Sequence, residues 1–233
     1  MAKERFLKFD NFVKTIDLEK YRLKYAHIKI VEMDLPRSIQ ALKTLYKYYW
    51  QEVDLDNIPD FDTYYDLYFN EHKDDIEAFR IKTEMCSNCF AKGLKARIYR
   101  TWASIITQIH AGYVAECVFG KGSVTMNEEL DHKGKDFVIT YNNKVLPIQV
   151  KKDSKRPEAR IQRTDDKSTV TIRYCVPQNK KDFECPRYVK TNQIKPQMLD
   201  FCEFSENGIL DRYDNGFVVF IEKAFTDLMH YFS

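Results

Sequence analysis

The stretch KGKDFVITYNNKVLPIQVKKD, Lys133 to Asp153, decides the fold. Apolar residues occupy alternate positions on both sides of Asn142 and Asn143, which predicts two antiparallel strands. Asparagine tolerates a positive φ, so the two asparagines are expected to form a two-residue hairpin turn. Tyr141 then faces Lys144, and the same register, followed outward from the turn, brings Asp136 opposite Gln149.

The two faces of this predicted hairpin differ in polarity. Pro147 falls opposite Val138, at a position where the partner strand needs no hydrogen bond from it, so the register tolerates the proline. One face carries Asp136, Gln149 and Lys151, whereas the other is apolar and is predicted to lie against the core, with Phe137, Ile139, Tyr141, Leu146, Ile148 and Val150.

The polar face has the composition of a metal site. The Cβ atoms of a directly facing pair lie roughly 4.5–5.5 Å apart, so oxygens of Asp136 and Gln149 can reach one cation. Mg²⁺ prefers a few carboxylate and amide oxygens and keeps several waters. Lys151 is expected to orient or deprotonate the attacking water and to offset phosphate charge. The alternative is an ordinary hairpin with a polar outer face.

Asp136 in GKDFVI, twelve further residues and then QVK together resemble the signature of the PD-(D/E)XK nuclease superfamily. The resemblance covers about Leu94 to Lys155. It implies Asp136 as the main metal ligand, Gln149 in place of the usual acid and Lys151 as the motif lysine. Lys135 stands where the motif has proline, and glutamine at the position of Gln149 resembles some type II restriction enzymes.

The resemblance also implies a further acid on the helix that precedes the sheet. The segment GYVAECVFG offers Glu116, which we expect to supply the second negative charge at the metal, since Gln149 is neutral. The bland alternative is an exposed glutamate near the end of a helix. Small enzymes of this kind usually act as homodimers on double-stranded DNA, so the resemblance implies a homodimer.

Helical patterns precede the hairpin and strand patterns follow it. Apolar residues recur at spacings of three and four in residues 37–53, 61–82 and 94–120, whereas STVTIRYCV and NGFVVFIEK read as strands and AFTDLMHYF as a closing helix. We therefore predict an α/β (α+β) fold, with a restriction-endonuclease-like mixed central sheet flanked by helices. Residues 1–93 are predicted to form a helical N-terminal subdomain and residues 94–233 the catalytic core.

The charge distribution indicates a polyanionic partner. From Lys144 to Lys195 the chain has 14 Lys and Arg against 6 Asp and Glu, although its net charge is only +2. This basic segment directly follows the hairpin, so it is expected to contact DNA phosphates. The alternative interpretation is that this segment and the acidic stretch from Glu52 to Glu77 are simply solvent-exposed surfaces without a binding role. The predicted DNA-binding residues are Lys152, Lys155, Arg156, Arg160 and Arg163.

The cysteines raise a separate question. Cys86 and Cys89 form half of a tetrahedral zinc site, and Cys175 and Cys185 are candidates for the other half, although their spacing is unusual. The alternative is reduced structural thiols. A charged N-terminus and the lack of a long apolar run predict a cytoplasmic protein with no membrane contact.

These observations predict a Mg²⁺-dependent DNA endonuclease, most specifically a type II restriction enzyme that cuts double-stranded DNA at a short sequence. Two alternatives stay open. One is a repair or recombination nuclease of the same superfamily. The other is a non-catalytic, zinc-containing DNA-binding protein, which would bind DNA without Mg²⁺-dependent cleavage.

Overall fold

The computed structural model describes residues 2–152, 168–174, 198–199 and 209–233. The described helices are α1 (Ala2–Thr15), α2 (Leu18–Tyr25), α3 (Leu42–Tyr46), α4 (Phe61–Glu71), α5 (Lys73–Lys82), α6 (Ser87–Phe119), α7 (Glu128–His132) and α8 (Glu222–Thr226). The strands are β1 (Val124–Thr125), β2 (Phe137–Tyr141), β3 (Lys144–Lys152), β4 (Val170–Tyr174), β5 (Met198–Leu199), β6 (Leu210–Arg212) and β7 (Val218–Phe220).

The chain forms two compact units. The described parts of residues 1–7, 110–213 and 218–233 form the sheet unit, and residues 8–109 with 214–217 form the helical unit. The predicted boundary after residue 93 falls inside helix α6, because that helix begins at Ser87 and runs to Phe119. Within the described ranges, no helix combines the length and apolar character needed to cross a membrane.

The sheet unit contains a mixed sheet, as predicted. Its five strands have the order β1-β2-β3-β4-β5. The pairs β1–β2 and β2–β3 are antiparallel, whereas the pairs β3–β4 and β4–β5 are parallel. Strands β6 and β7 form a separate antiparallel pair. The mixed α/β fold class with a helical N-terminal region is therefore confirmed.

The predicted hairpin is present with the predicted register. Tyr141 pairs with Lys144 and Val138 pairs with Pro147. Both turn residues have a positive φ, 49° at Asn142 and 60° at Asn143, which matches the right-handed twist of the flanking strands. The turn chemistry and the alternation of apolar residues thus fix which side chains each face of the sheet presents.

One face of the hairpin is buried against aromatic side chains of the sheet unit. Phe137 and Ile148 are fully buried, and the Phe137 ring lies 6.3 Å from the Phe225 ring of α8. Tyr141 packs against Phe119 at the end of α6, with ring centroids 5.4 Å apart. Burial of this apolar face leaves the opposite face of β3 available to polar residues.

The helical unit is held together by a cluster of aromatic residues. The Tyr21, Phe61, Tyr99 and Trp102 rings contact one another at centroid distances of 5.3 to 6.3 Å. The Trp102 indole N–H donates to the Tyr49 hydroxyl at 2.8 Å, so this buried polar group is satisfied.

Two predicted helices are interrupted. The pattern over residues 61–82 forms α4 and α5, because the backbone leaves the helical region at His72. The pattern over residues 37–53 forms a 3₁₀ turn at Arg37–Ile39, helix α3 and a π-helical turn at Lys47–Gln51. Periodicity identifies the buried face but does not report such local breaks.

Gly93 allows two segments of the helical unit to approach closely. A Cβ atom at this position would lie 2.8 Å from Val31 Cγ2 and 2.9 Å from Ile30 Cβ. Both distances are well inside van der Waals contact, so the segment at Val31 can lie against α6 only because residue 93 has no side chain.

We therefore expect Gly93→Ala to destabilise the protein by about 1–3 kcal/mol, the usual cost of overpacking, although alanine normally favours a helix over glycine by about 1 kcal/mol. Urea unfolding measures the change. In a Val31→Ala background the same substitution should cost less, because one clashing methyl group is gone. A Gly93→Ala protein that is more stable than the parent would contradict the close approach.

Candidate active site

Asp136 is placed by a turn that closes helix α7. The N–H groups of Gly134 and Lys135 donate to the carbonyls of Asp131 and Leu130 at 2.8 and 2.9 Å, and Gly134 has a φ of 74°. The positive φ at glycine reverses the chain after the helix. The chain then enters the sheet at Asp136, whose N–H donates to the Ile148 carbonyl at 2.9 Å.

The Asp136 side chain differs from the prediction in one respect. The ladder of paired residues ends at Phe137 and Ile148, so Asp136 and Gln149 do not form a ladder pair. The Asp136 carboxylate instead accepts a short hydrogen bond from the Val150 N–H and is only 7% exposed. The sequence predicts Asp136 opposite Gln149 on the polar face, but it gives no indication that the carboxylate is buried against the β3 backbone.

This burial changes the acidity of the carboxyl group. The pKa of Asp136 is raised to about 7, mainly by burial and also by the negative charge of Asp131. The Val150 N–H and the positive charge of Lys151 oppose the increase in pKa. The ionised form of Asp136 is therefore less favourable than that of an exposed aspartate.

Gln149 and Lys151 lie on β3 beside this carboxylate. Both side chains are half-buried and alternate with the buried Ile148 and Val150, so they share the polar face as predicted. Lys151 is close enough for its charge to lower the pKa of Asp136. The structure thus brings Lys151 near Asp136, and Gln149 lies two residues before Lys151 on β3.

Glu116 has partners of its own within the sheet unit. Its side chain is 2% exposed, and its Oε2 atom lies 2.9 Å from Nη1 of Arg5. Its Oε1 atom accepts the Gly122 N–H at 2.8 Å. The Arg5 guanidinium also lies over the Tyr113 ring, 5.3 Å from the centroid. Glu116 therefore connects the start of the chain to the turn that leads into β1.

Asp131 is a neighbour of the site that the sequence-based prediction missed. It is half-exposed in the last turn of α7, five residues before Asp136, and its charge contributes to the raised pKa of that carboxyl. A helical turn that ends in glycine would place an acid of this spacing near the start of the next strand. The segment ELDHKGKD carries that signal.

The other predicted residues divide into described and undescribed groups. Lys152 ends β3 and is exposed, and Cys86 and Cys89 are exposed thiols. Within the predicted strand STVTIRYCV the structure describes β4, and within NGFVVFIEK it describes β7. The prediction was wrong for the last two residues of NGFVVFIEK, which begin α8. Six predicted residues lie outside the described residues: Lys155, Arg156, Arg160, Arg163, Cys175 and Cys185.

The donor set near Asp136 suits a hard divalent cation. Among residues 2–152, 168–174 and 209–233, no three acidic, histidine or cysteine side chains are grouped closely enough to hold a metal ion. Mg²⁺ does not need such a group, because it commonly binds through one or two carboxylates and otherwise keeps waters and substrate oxygens. Such a cation would stabilise the ionised form of a buried carboxylate that has a raised pKa and a second acid nearby.

Comparisons with known proteins decide the family. A sequence model described as TaqI restriction endonuclease matches residues 6–232. The chain belongs to the TaqI restriction endonuclease family. It is 33% identical over 233 residues to the type II restriction enzyme TthHB8I of Thermus thermophilus, an alignment that covers 96% of this chain and 86% of the relative. It is 31% identical over 224 residues to the type II restriction enzyme TaqI of Thermus aquaticus, covering 92% and 82%.

Family membership confirms the predicted class of enzyme, a restriction endonuclease and hence a hydrolase. The match extends over nearly the whole chain, including the helical N-terminal region that lies outside the PD-(D/E)XK resemblance. No solved structure matches the chain significantly. The comparisons favour restriction over the two alternatives, a repair nuclease and a zinc-containing DNA-binding protein.

The raised pKa of Asp136 predicts how stability depends on pH in metal-free protein. A folded-state pKa near 7, above the unfolded value of 3.8, makes stability fall as pH rises from about 4 to 7, by on the order of a few kcal/mol. Urea unfolding in chelator should show this decline. Asp136→Asn should remove much of it and stabilise the protein at pH 8.

Asp131→Asn is the matched control for this prediction. It removes the like charge but leaves the burial of Asp136, so the decline in stability should persist, become smaller and end at a lower pH. Equal pH dependence in the parent and in Asp136→Asn would show that the Asp136 carboxyl is not the buried acid responsible.

Proposed function

We propose that this chain is a Mg²⁺-dependent type II restriction endonuclease with a PD-(D/E)XK-type active site in which glutamine replaces the second acid. It hydrolyses phosphodiester bonds in double-stranded DNA at a short specific sequence. The observation that carries the proposal is the buried Asp136 carboxylate, held against the β3 backbone by the Val150 N–H and next to Lys151. Family membership supports the class of reaction.

Asp136 and Gln149 are the proposed ligands of Mg²⁺, and Asp131 contributes negative charge to the same site. When bound, Mg²⁺ supplies Lewis-acid stabilisation of the charge on the attacked phosphate and on the leaving oxygen. The Val150 N–H donates a hydrogen bond to one carboxylate oxygen of Asp136, and the other oxygen is available as a metal ligand. The Gln149 amide adds a neutral oxygen without a second buried charge.

Lys151 is the proposed residue that handles the attacking water. Its ammonium lies near Asp136, where it favours the ionised carboxylate. In the complex with DNA the same positive charge would attract a phosphate, orient the water beside it and stabilise the negative charge that develops on the water oxygen. The half-buried position of Lys151 reduces screening by solvent, which strengthens each of these effects.

We assign Glu116 a positioning role, in place of the ligand role that the resemblance implies. Both of its carboxylate oxygens have protein partners, the Arg5 guanidinium and the Gly122 N–H. Gly122 belongs to the turn between α6 and β1, and β1 pairs with β2, the strand that directly follows Asp136. Glu116 would therefore support the sheet edge beside the site.

DNA binding is proposed to involve Lys152, at the exposed end of β3, and the basic residues that follow it, Lys155, Arg156, Arg160 and Arg163. These residues come directly after the proposed catalytic lysine in sequence, so phosphate contacts there would hold the duplex near the site. A homodimer is proposed because two such sites are needed to cut both strands at one position.

The function is tested by incubating the purified protein with phage DNA and either Mg²⁺ or a chelator. Discrete fragments that appear only with Mg²⁺ are the expected result. A smear, or nicking that depends on DNA structure, would instead indicate a repair nuclease. Binding without cleavage under every metal condition would contradict the proposed hydrolysis.

Variants of the hairpin test the assigned roles. Asp136→Ala and Lys151→Ala should each lower the cleavage rate by several orders of magnitude while DNA binding survives, because binding is mainly phosphate electrostatics. Gln149→Glu should retain measurable cleavage with an altered metal preference, whereas Gln149→Leu should abolish it. Thr140→Ala, exposed on β2, is the control and should cleave normally. Cleavage by Asp136→Ala within a few-fold of the parent would refute the assignment.

Glu116→Gln separates the two roles of Glu116. Glutamine keeps an oxygen that accepts the Gly122 N–H but loses the charge that pairs with Arg5. A positioning role predicts a lower unfolding midpoint and a loss of cleavage of about tenfold or less, since one ion pair is removed. A ligand role predicts loss of several orders of magnitude with a weakened response to Mg²⁺. Cleavage rates measured over a range of Mg²⁺ concentrations distinguish the two outcomes.

A further inference from the structure

Cys86 and Cys89 form a pair of exposed thiols at the start of α6, in the helical unit. Cys86 directly precedes the helix, and its carbonyl accepts the Phe90 N–H at 2.9 Å. The Cys86 Sγ atom accepts the Cys89 N–H at 3.3 Å. These are the contacts of an N-cap residue, with sulfur in place of the usual side-chain oxygen.

The first turn of the helix holds both sulfurs toward solvent. Phe90, the next residue, is buried and packs against Phe79 with ring centroids 6.0 Å apart. Cys86 and Cys89 are exposed, so reagents can reach both sulfurs. Because the two residues are three apart in the first turn, their side chains are neighbours, and the Cys89 thiol donates a hydrogen bond to the Cys86 sulfur.

This geometry makes the two thiols unequal. The Cys86 sulfur receives two hydrogen bonds and lies at the positive end of a helix of 33 residues, so negative charge is stabilised there. Consistently, the hydrogen bond from Cys89 lowers the pKa of Cys86, and the same contact raises the pKa of Cys89. Cys86 is thus placed to attack and Cys89 to follow.

We propose that Cys86 and Cys89 are a thiol–disulfide exchange site that forms a reversible disulfide with low-molecular-weight disulfides such as oxidised glutathione. The Cys86 thiolate attacks one glutathione sulfur, forming a mixed disulfide and releasing glutathione as its thiolate, which takes up a proton. The Cys89 sulfur, after losing its proton, then attacks the Cys86 sulfur and releases the second glutathione. Two protein thiols are oxidised and one disulfide is reduced to two thiols.

Cys117 provides an internal reference for reactivity. It is partly buried in the sheet unit, and burial raises the pKa of its thiol, so it should exchange slowly. Trypsin can release residues 83–92, TEMCSNCFAK, which contain Cys86 and Cys89 and no other cysteine. The redox state of the pair can therefore be read by mass spectrometry without interference from the remaining cysteines.

The test exposes reduced, full-length protein to graded ratios of oxidised and reduced glutathione, blocks the remaining thiols with an alkylating agent and analyses this peptide. The expected product is a peptide that has lost two hydrogens, and added dithiothreitol should reverse the change. Only mixed disulfide at every ratio would overturn the proposal. Thiols that become reactive only after a strong chelator has removed zinc would also overturn it, in favour of the zinc site.

Two serine variants test the order of attack. In Cys89→Ser the peptide should keep glutathione on Cys86, because no second thiol can displace it. In Cys86→Ser the serine hydroxyl can cap the helix, so the fold should be retained. The remaining Cys89 thiol should react with oxidised glutathione at least about tenfold more slowly than the Cys86 thiol reacts in Cys89→Ser. Equal rates in the two variants would overturn the assignment of Cys86 as the attacking thiol.

Discussion

The hydrogen bond from the Val150 N–H to the Asp136 carboxylate is the contact on which the active site depends. It fixes the acid against the backbone of β3, the strand that also carries Gln149 and Lys151. A backbone donor cannot change rotamer, so the carboxylate is positioned by the sheet itself. The relative placement of acid, amide and ammonium thus follows from the pairing of two strands and not from a flexible loop.

The same contact accounts for the unusual acidity of the site. One N–H and a nearby ammonium only partly replace the water that a carboxylate loses on burial, so the pKa of Asp136 is raised to about 7. The ionised Asp136 carboxylate therefore destabilises the metal-free fold, and a bound cation would remove this destabilisation. Stability and function therefore place opposite demands on Asp136, which is typical of groups whose partner is a ligand.

Much of the hairpin could be predicted from the sequence, because its determinants are local. The two asparagines specify the turn, and alternation specifies which side chains are buried. The environment of Asp136 could not be predicted, since alternation does not indicate that its carboxylate accepts the Val150 N–H or lies near Asp131. The Arg5 partner of Glu116 is 111 residues away in sequence, so no local pattern indicates it. The break between α4 and α5 at His72 is likewise not indicated by periodicity, which continues through it.

Glutamine at position 149 is understandable from the distribution of charge around Asp136. A carboxylate at residue 149 would add a second negative charge beside an acid that is already poorly solvated, and would raise its pKa further. An amide offers an oxygen to a hard cation without that cost. Asp131 supplies negative charge from a half-exposed position, where water screens its repulsion of Asp136. Different residues thus meet two requirements of the site. Gln149 adds a ligand oxygen next to the metal, and Asp131 adds negative charge.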